Sequence, residues 1–182
     1  MNRTGNAIGR ARMALVFGGD GNRRGVLTTV TVRARSRRKT GSVIFAGPVR
    51  FAESTRDHIT GVILPIVNRI LEGLGIAPRG FEISVTNIGA AASHDLGMEV
   101  SGLSGDLPVI LAMLSAALRM PVRDDFVATG HIASATGDIV AVKGIPAKVE
   151  AAVADQSVSH FLYPDRKSDR SMDVLSPREK DA

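Results

Sequence analysis

The chain has 182 residues, of which 44% are hydrophobic and 23% charged, a balance typical of a globular domain with a buried core. It contains no cysteine, which excludes disulfides and thiolate metal sites, and one tyrosine without tryptophan argues against an aromatic platform for single-stranded nucleic acid. The net charge is +5, and no apolar run approaches the ~20 residues that a membrane span needs.

The first part of the chain predicts a flexible start and then a hairpin. Residues 1–12 are polar and are expected to be a flexible N-terminus, followed by a short apolar run over 13–17 and a glycine-rich turn. Residues 26–35 alternate apolar and polar positions, which indicates a strand. A basic turn over 37–41 and a returning strand over 42–46 complete the predicted antiparallel hairpin.

An amphipathic helix is predicted next. Ser54 or Thr55 can cap its start, and apolar residues recur at three-to-four spacing from Ile59 to Leu74. Pro65 removes a backbone donor inside this pattern and should kink the helix, which glycines at its end then stop. A strand follows over residues 81–88.

The second half alternates strands with helices. Residues 107–118 form a strongly apolar helix that should be buried on most sides, with Pro108 in its first turn. Residues 126–133 and 139–142 read as a strand pair, 144–154 as a helix, and 158–163 as a last strand. The predicted class is therefore α+β, with mixed sheets and packed helices, and residues 165–182 form a charged tail that is disordered or the truncated end of the domain.

Two residues lie where acyl-transfer chemistry could be built. Ser104 joins a small-residue loop to the apolar helix, where its hydroxyl could cap the helix or, with the free amides of the first turn, act as a nucleophile. Lys148 lies near the start of its own helix, where the helix dipole and burial among apolar neighbours would both lower its pKa toward that of a base. The alternative for Lys148 is an ordinary surface cation.

Other chemistry is not indicated by the sequence. The four histidines (His58, His94, His131 and His160) lack metal-ligand spacing, so each is assigned a surface or structural role. No phosphate-binding loop is present. We therefore expect no metal and no cofactor.

The order of several short motifs resembles the proteolytic domain of the Lon protease family over roughly residues 12–164. In that family a Gly-x-Ser opens a buried helix, and a Pro-Val-Arg, an Asp, a Thr-Gly turn and a Gly-x-x-x-Lys follow. The matching residues are Gly102-Leu103-Ser104, Pro121-Val122-Arg123, Asp125, Thr129-Gly130 and Gly144-Ile145-Pro146-Ala147-Lys148.

The resemblance implies a Lon-like proteolytic domain over residues 13–164, without the ATPase module of the family. Ser104 would be the nucleophile of a serine endopeptidase and Lys148 its general base. Thr129 would orient the lysine, and Gly102 and Gly105 would shape the turn. It further implies an enzyme that cleaves unfolded polypeptide, a separate ATPase or unfoldase as partner, and a homo-oligomer, a hexamer in the family. Because the chain has no cysteine, no apolar signal core and no membrane-spanning run, we expect a cytoplasmic protein with no membrane partner.

The chain also departs from the family pattern. Leu103 stands where proline is common, Gly105-Asp106 where Ala-Gly is common, Ser101 where an Asp is common, His131 where a Glu is common, and Lys143 where the family usually has Gly. The Asp106 charge could raise the pKa of Lys148 or reshape the peptide-binding groove. Two alternatives therefore stay open: a catalytically inactive Lon-like assembly module, of the kind found in nucleic-acid ATPases, and nucleic-acid binding through the basic cluster over residues 33–39.

Overall fold

The computed structural model describes residues 7–17, 24–35, 41–86 and 99–164. Within these ranges the chain forms a mixed α/β structure, in which helices pack on a six-stranded mixed sheet of strand order β10-β7-β1-β2-β5-β3. The elements are β1 (Ile8–Phe17), β2 (Arg24–Ala34), β3 (Val43–Phe45), β4 (Arg50–Phe51), α1 (Glu53–His58), a π-helical turn (Ile59–Ile63), α2 (Leu64–Gly73), β5 (Phe81–Thr86), β6 (Glu99–Val100), α3 (Asp106–Leu118), β7 (Phe126–Ala128), β8 (His131–Ile132), β9 (Ile139–Val140), α4 (Ile145–Ala154) and β10 (His160–Leu162). The predicted tail, residues 165–182, lies outside the described residues.

The first strand begins earlier than the sequence predicts. Part of the segment 1–12 that was assigned to a flexible N-terminus is strand, because β1 starts at Ile8, while residues 1–6 lie outside the described ranges. Arg10 and Arg12 alternate with the buried Ala11 and Met13, a period-two pattern that the polar composition of the segment obscures. Ten residues of β1 pair antiparallel with β2, so the hairpin of this fold joins these two strands.

The predicted antiparallel pairing of residues 26–35 with 42–46 is wrong. β2 has the expected alternation, with Thr28, Val30 and Val32 buried, but its neighbours are β1 on one side and β5 on the other. These longer antiparallel ladders occupy both edges of β2. The three-residue β3 therefore pairs at the outer edge of β5, and parallel to it.

The amphipathic helix is present, but its start and its kink differ from expectation. Helix α1 begins after Ala52 and has no side-chain cap, and Thr55 lies buried inside the helix, where its hydroxyl contacts the Gly102 carbonyl at 3.4 Å. The bond that Pro65 cannot donate is accommodated by the π-helical turn just before it, in which the Leu64 amide donates to the Ile59 carbonyl five residues back. Gly75 follows the end of α2 with φ +72°, a left-handed conformation that glycine adopts readily.

Helix α3 is buried as the sequence predicts. Ten of its residues are buried, including Leu107, Pro108 and Met113. It ends at the left-handed residue Arg119 (φ 58°), shortly before Pro121. Among the described residues, no helix combines the length and apolarity required to cross a membrane.

Two glycines allow helices α3 and α4 to approach the sheet closely. A Cβ on Gly9 of β1 would lie 2.0 Å from the Ala112 carbonyl oxygen of α3, and a Cβ on Gly25 of β2 would lie 1.9 Å from the Ala147 carbonyl oxygen of α4. The register of β1 with β2 points these two positions to opposite faces of the sheet. Helices α3 and α4 therefore pack on opposite faces.

The segment 126–133 is divided between two sheets. Its first part, β7, joins the main sheet parallel to β1 and β10, whereas β8 forms a separate antiparallel pair with β9. The division falls at Thr129 and Gly130, which contact the loop that holds Ser104. The predicted strand pair is thus correct only for its second part.

Candidate active site

A cleft of about 640 Å³ contains both residues that the sequence singles out. Its walls include Ser104 and Lys148, together with residues 15–17, 99–103 and 141–143, and His131. Lys143 also lines the cleft but is exposed. The fold thus brings Ser104 and Lys148, far apart in the sequence, to one cavity.

Ser104 does not cap helix α3. The residue that precedes the helix is Gly105, and no side chain caps the helix start. Ser104 is half-buried and lines the cleft. Helix capping, one of the two roles that the sequence allows for Ser104, is therefore not observed for its hydroxyl in the described part of the chain.

The two glycines beside Ser104 differ in what they require. Gly102 has φ +83°, in the left-handed region where a side chain is strained. Gly105 has φ −89° and ψ 0°, and a Cβ there would make only an ordinary contact of 3.4 Å with Met13 Sδ. Only Gly102 is needed for the shape of the turn.

The main chain of Ser104 is fixed by the segment that follows β7. Its carbonyl oxygen accepts two hydrogen bonds, from the Gly130 amide at 3.0 Å and from the Thr129 hydroxyl at 3.1 Å. The Leu107 amide returns a bond to the Gly130 carbonyl at 3.3 Å. These bonds hold the serine turn against Thr129 and Gly130.

Lys148 is buried and lacks an acidic partner. Its residue is 1% exposed, among the apolar neighbours Ile145, Val149 and Ala152 that the sequence predicts around it. Its ammonium nitrogen Nζ donates to the Thr129 hydroxyl at 2.9 Å, and no carboxylate of the described residues pairs with it. Burial lowers the pKa of Lys148 from 10.5 to about 8.

Thr129 connects the lysine to the serine turn. Its hydroxyl accepts the bond from Lys148 Nζ at 2.9 Å and donates to the Ser104 carbonyl oxygen at 3.1 Å, so these two outer atoms lie within about 6 Å of each other. Thr129 is fully buried, which excludes competing water. Among the described residues, no direct hydrogen bond joins Ser104 Oγ to Lys148 Nζ.

Two backbone amides at the start of α3 already donate hydrogen bonds to carbonyl groups of the protein. The Asp106 amide donates to the Leu103 carbonyl and the Leu107 amide to the Gly130 carbonyl, both at 3.3 Å. The amides of Ser104 and Gly105 donate to no acceptor within the described residues. They are the amides beside the serine hydroxyl that form no hydrogen bond among the described residues.

No protein-family model matches the chain, and no curated protein matches it significantly. The site must therefore be interpreted from its own geometry.

Asp106 is engaged by histidines and does not act on the lysine. Its Oδ2 atom lies 2.7 Å from His131 Nδ1, 3.0 Å from the Ile132 amide and 3.1 Å from His58 Nε2. Burial is the cause of the lowered pKa of Lys148, so the expectation that Asp106 raises it does not hold. Burial raises the pKa of Asp106 itself, against the hydrogen bond from His131, which lowers it.

Sequence reasoning missed this cluster. His58 and His131 are far apart in the chain, so no local spacing connects them. The available signal was the pair of departures from the family pattern at Asp106 and His131, which the structure brings into contact. Of the other histidines, His160 is exposed beside Asp125, and His94 lies outside the described residues.

A second cleft of about 850 Å³ is larger and contains two ion pairs. It is lined by β1, β2 and the segment 123–125, with Asp155 and Ser157. Arg12 pairs with Asp155 and Ser157, and Arg123 pairs with Asp125 at 2.6 Å. Arg10 and Asp124 also line this cleft. Because two of its arginines are paired with carboxylates, whereas Lys148 has no carboxylate partner among the described residues, the smaller cleft is the better candidate for chemistry.

The basic cluster over residues 33–39 is only partly described. Arg33 pairs with Glu82 at 3.1 Å, and residues 36–40 lie outside the described ranges. Nucleic-acid binding through this cluster therefore stays a prediction.

Proposed function

We propose that the chain is a serine-lysine peptidase of the Lon type, with Ser104 as nucleophile and Lys148 as general base. The observation that carries the proposal is a buried lysine that has no counter-charge within the described ranges and is bonded through Thr129 to the main chain of a serine in the same cleft. A Lon-like proteolytic fold is part of the proposal. Its support is that Ser104 and Lys148 each lie at the start of a helix and meet beside Thr129.

The proposed reaction is peptide hydrolysis through an acyl-enzyme. Ser104 Oγ attacks the peptide carbonyl carbon while neutral Lys148 accepts the hydroxyl proton, and the protonated lysine then gives this proton to the departing amine. We assign the stabilisation of the oxyanion to the amides of Ser104 and Gly105, which have no acceptor among the described residues. A water molecule, deprotonated by Lys148, cleaves the ester and restores the serine.

Burial explains how Lys148 acts as a base near neutral pH. An amine in solution is almost entirely protonated at pH 8, whereas a pKa of about 8 leaves about half of the Lys148 side chains neutral there. A nearby carboxylate would favour the protonated form, but Asp106 contacts His58 and His131. Thr129 holds the amine by accepting its hydrogen bond.

The shape of the cleft supports an extended polypeptide as substrate. Strand β6 lines it and, among the described residues, pairs with β4 alone. An extended peptide could pair with the other edge of β6 through main-chain hydrogen bonds, which do not depend on the side chains of the substrate. Folded substrates would need a separate ATPase or unfoldase to supply such segments.

Covalent labelling by a fluorophosphonate probe tests the dyad. We expect labelling of the wild type and of Lys143→Ala, the matched control for a lysine in the same cleft. Labelling should be absent in Ser104→Ala and slower by about 100-fold or more in Lys148→Ala, the range of a lost general base. Equal labelling of wild type and Lys148→Ala, or none in either, contradicts the proposal.

The second candidate is a catalytically silent Lon-like assembly module. The observation that favours it is that no direct hydrogen bond joins Ser104 Oγ to Lys148 Nζ within the described residues. Light scattering coupled to gel filtration separates the candidates when combined with labelling, because a silent module assembles into a ring but is not labelled. A labelled protein excludes this role as the sole function.

A further inference from the structure

Three side chains converge beside the serine turn without a role in the proposed peptidase. His58 ends α1, Asp106 begins α3 and His131 begins β8. One potential ligand atom from each lies within 4.8 Å of the others. The two imidazole rings stand 5.2 Å apart, tilted by 49°.

His58 is the unusual member of this cluster. Its Nε2 atom is buried and has no hydrogen-bond partner among the described residues, although Asp106 Oδ2 lies 3.1 Å away. For His58, hydrogen-bond distance without hydrogen-bond alignment fits two ligands of one ion, because their lone pairs then point at a third position and not at each other. His131 Nδ1 forms a hydrogen bond to Asp106 Oδ2, and metal binding there would replace the proton of this bond. An unsatisfied buried nitrogen is otherwise unfavourable.

Asp106 supplies a buried carboxylate. The residue is 1% exposed, and its Oδ2 atom faces His131, His58 and the Ile132 amide. The Ile132 amide, 3.0 Å from Oδ2, fixes the orientation of the carboxylate as an outer partner does at a metal site. A cation at this position would neutralise the buried charge.

We propose that His58, Asp106 and His131 form a binding site for a divalent first-row transition metal, with Zn²⁺ as its natural probe. Two imidazole nitrogens and one carboxylate oxygen suit zinc, whereas Mg²⁺ and Ca²⁺ favour oxygen ligands. Tetrahedral zinc ligands at about 2.0–2.1 Å lie about 3.3 Å from one another. The present separations of 2.7 Å and 3.1 Å from Asp106 Oδ2 would have to open by about 0.6 Å and about 0.2 Å to reach this spacing.

The site goes beyond the proposed peptidase and does not depend on it. His131 is 24% exposed and lines the cleft, which gives an ion access from solvent. The ligands tie three elements together around Ser104, since Asp106 lies two residues beyond the serine and His131 two beyond Thr129. Bound metal would therefore fix the serine turn, and its removal would loosen it.

Zinc binding to the full chain, purified without a histidine tag and stripped with chelator, tests the site. Competition with a chromogenic chelator should reveal about one zinc per chain, and Mg²⁺ should not displace it. His58→Gln and His131→Gln should each weaken binding more than about 100-fold, because even outer partners of metal ligands contribute 10–100-fold. His160→Gln, which changes an exposed histidine, is the matched control and should bind as the wild type does.

The outcomes separate a built site from surface binding. Loss of zinc in both His58→Gln and His131→Gln, with circular dichroism unchanged and with zinc kept by His160→Gln, supports the proposal. No zinc uptake by the wild type, or retention in either of the first two variants, overturns it. Both outcomes are read without peptidase activity.

Discussion

Replacing Lys148 by methionine should stabilise the protein while it abolishes labelling. Lowering the pKa of a lysine from 10.5 to about 8 corresponds to about 3 kcal/mol of unfavourable folding free energy at pH 7, at about 1.4 kcal/mol per pKa unit. Methionine has a similar shape and removes the unfavourable burial of the charge. It also removes the hydrogen bond to Thr129, which costs about 1 kcal/mol of stability. The variant should gain about 2 kcal/mol at pH 7.

The sign of the effect is tested by its pH dependence. Between pH 8 and 10.5 the unfolded chain binds more protons at Lys148 than the folded chain does, so the wild type gains stability as pH rises through this window. At pH 10 the folded protein holds Lys148 neutral, so most of the unfavourable free energy of burying its charge has disappeared. The two proteins should then be about equally stable. Other titrating groups cancel in the difference between the two proteins.

Urea unfolding at pH 7 and pH 10 measures both quantities. Lys143→Met is the control, because an exposed lysine should change stability by less than about 0.5 kcal/mol at either pH. The reasoning is refuted if Lys148→Met is less stable than the wild type at pH 7. It is also refuted if the difference between them is the same at both pH values.

Three further outcomes are expected. The rate of labelling at Ser104 should rise with pH and level off above about 8, where Lys148 becomes neutral; a rate that is flat from pH 6 to 9 would contradict the base role. Thr129→Val loses two hydrogen bonds, so it should slow labelling and lower the free energy of unfolding by about 1–3 kcal/mol. Thr129→Ser keeps the hydroxyl and should retain most of the labelling rate and of the stability. Equal losses in the two variants would contradict the linking role of Thr129. Gly9→Ala should lower stability by about 1–3 kcal/mol in thermal or urea unfolding, since its Cβ would collide with the Ala112 carbonyl, and an unchanged midpoint would contradict that packing.

Local patterns predicted the elements better than their pairing. The period of α2 and the alternation of β2 and β5 are visible in the residues themselves, because burial on one face imposes them. Helix α3 is visible as an apolar run, because it is buried on most sides. The partner of a strand depends on which edges other strands occupy. A short segment such as β3 therefore lost the edge of β2 to the longer ladders of β1 and β5.

The candidate site was predictable where motif order carries information. The burial of Lys148 among Ile145, Val149 and Ala152 follows from helical spacing, and the Thr129 contact follows from the resemblance. The cluster of His58, Asp106 and His131 was not predictable, because its members come from three separate elements. Only the path of α1 against the starts of α3 and β8 makes them neighbours.

A chain shaped for stability alone would not keep both of these features. In the part of the chain that the structure describes, Lys148 is buried without a counter-charge and His58 has a buried nitrogen without a hydrogen bond. Apolar residues of similar size would fill either position at lower free energy. Violations of local rules are expected where function requires them, and here both lie against the segment Thr129–His131. If Lys148→Met gains stability but is no longer labelled, the lysine is retained for its chemistry, because its contribution to folding is then unfavourable by direct measurement.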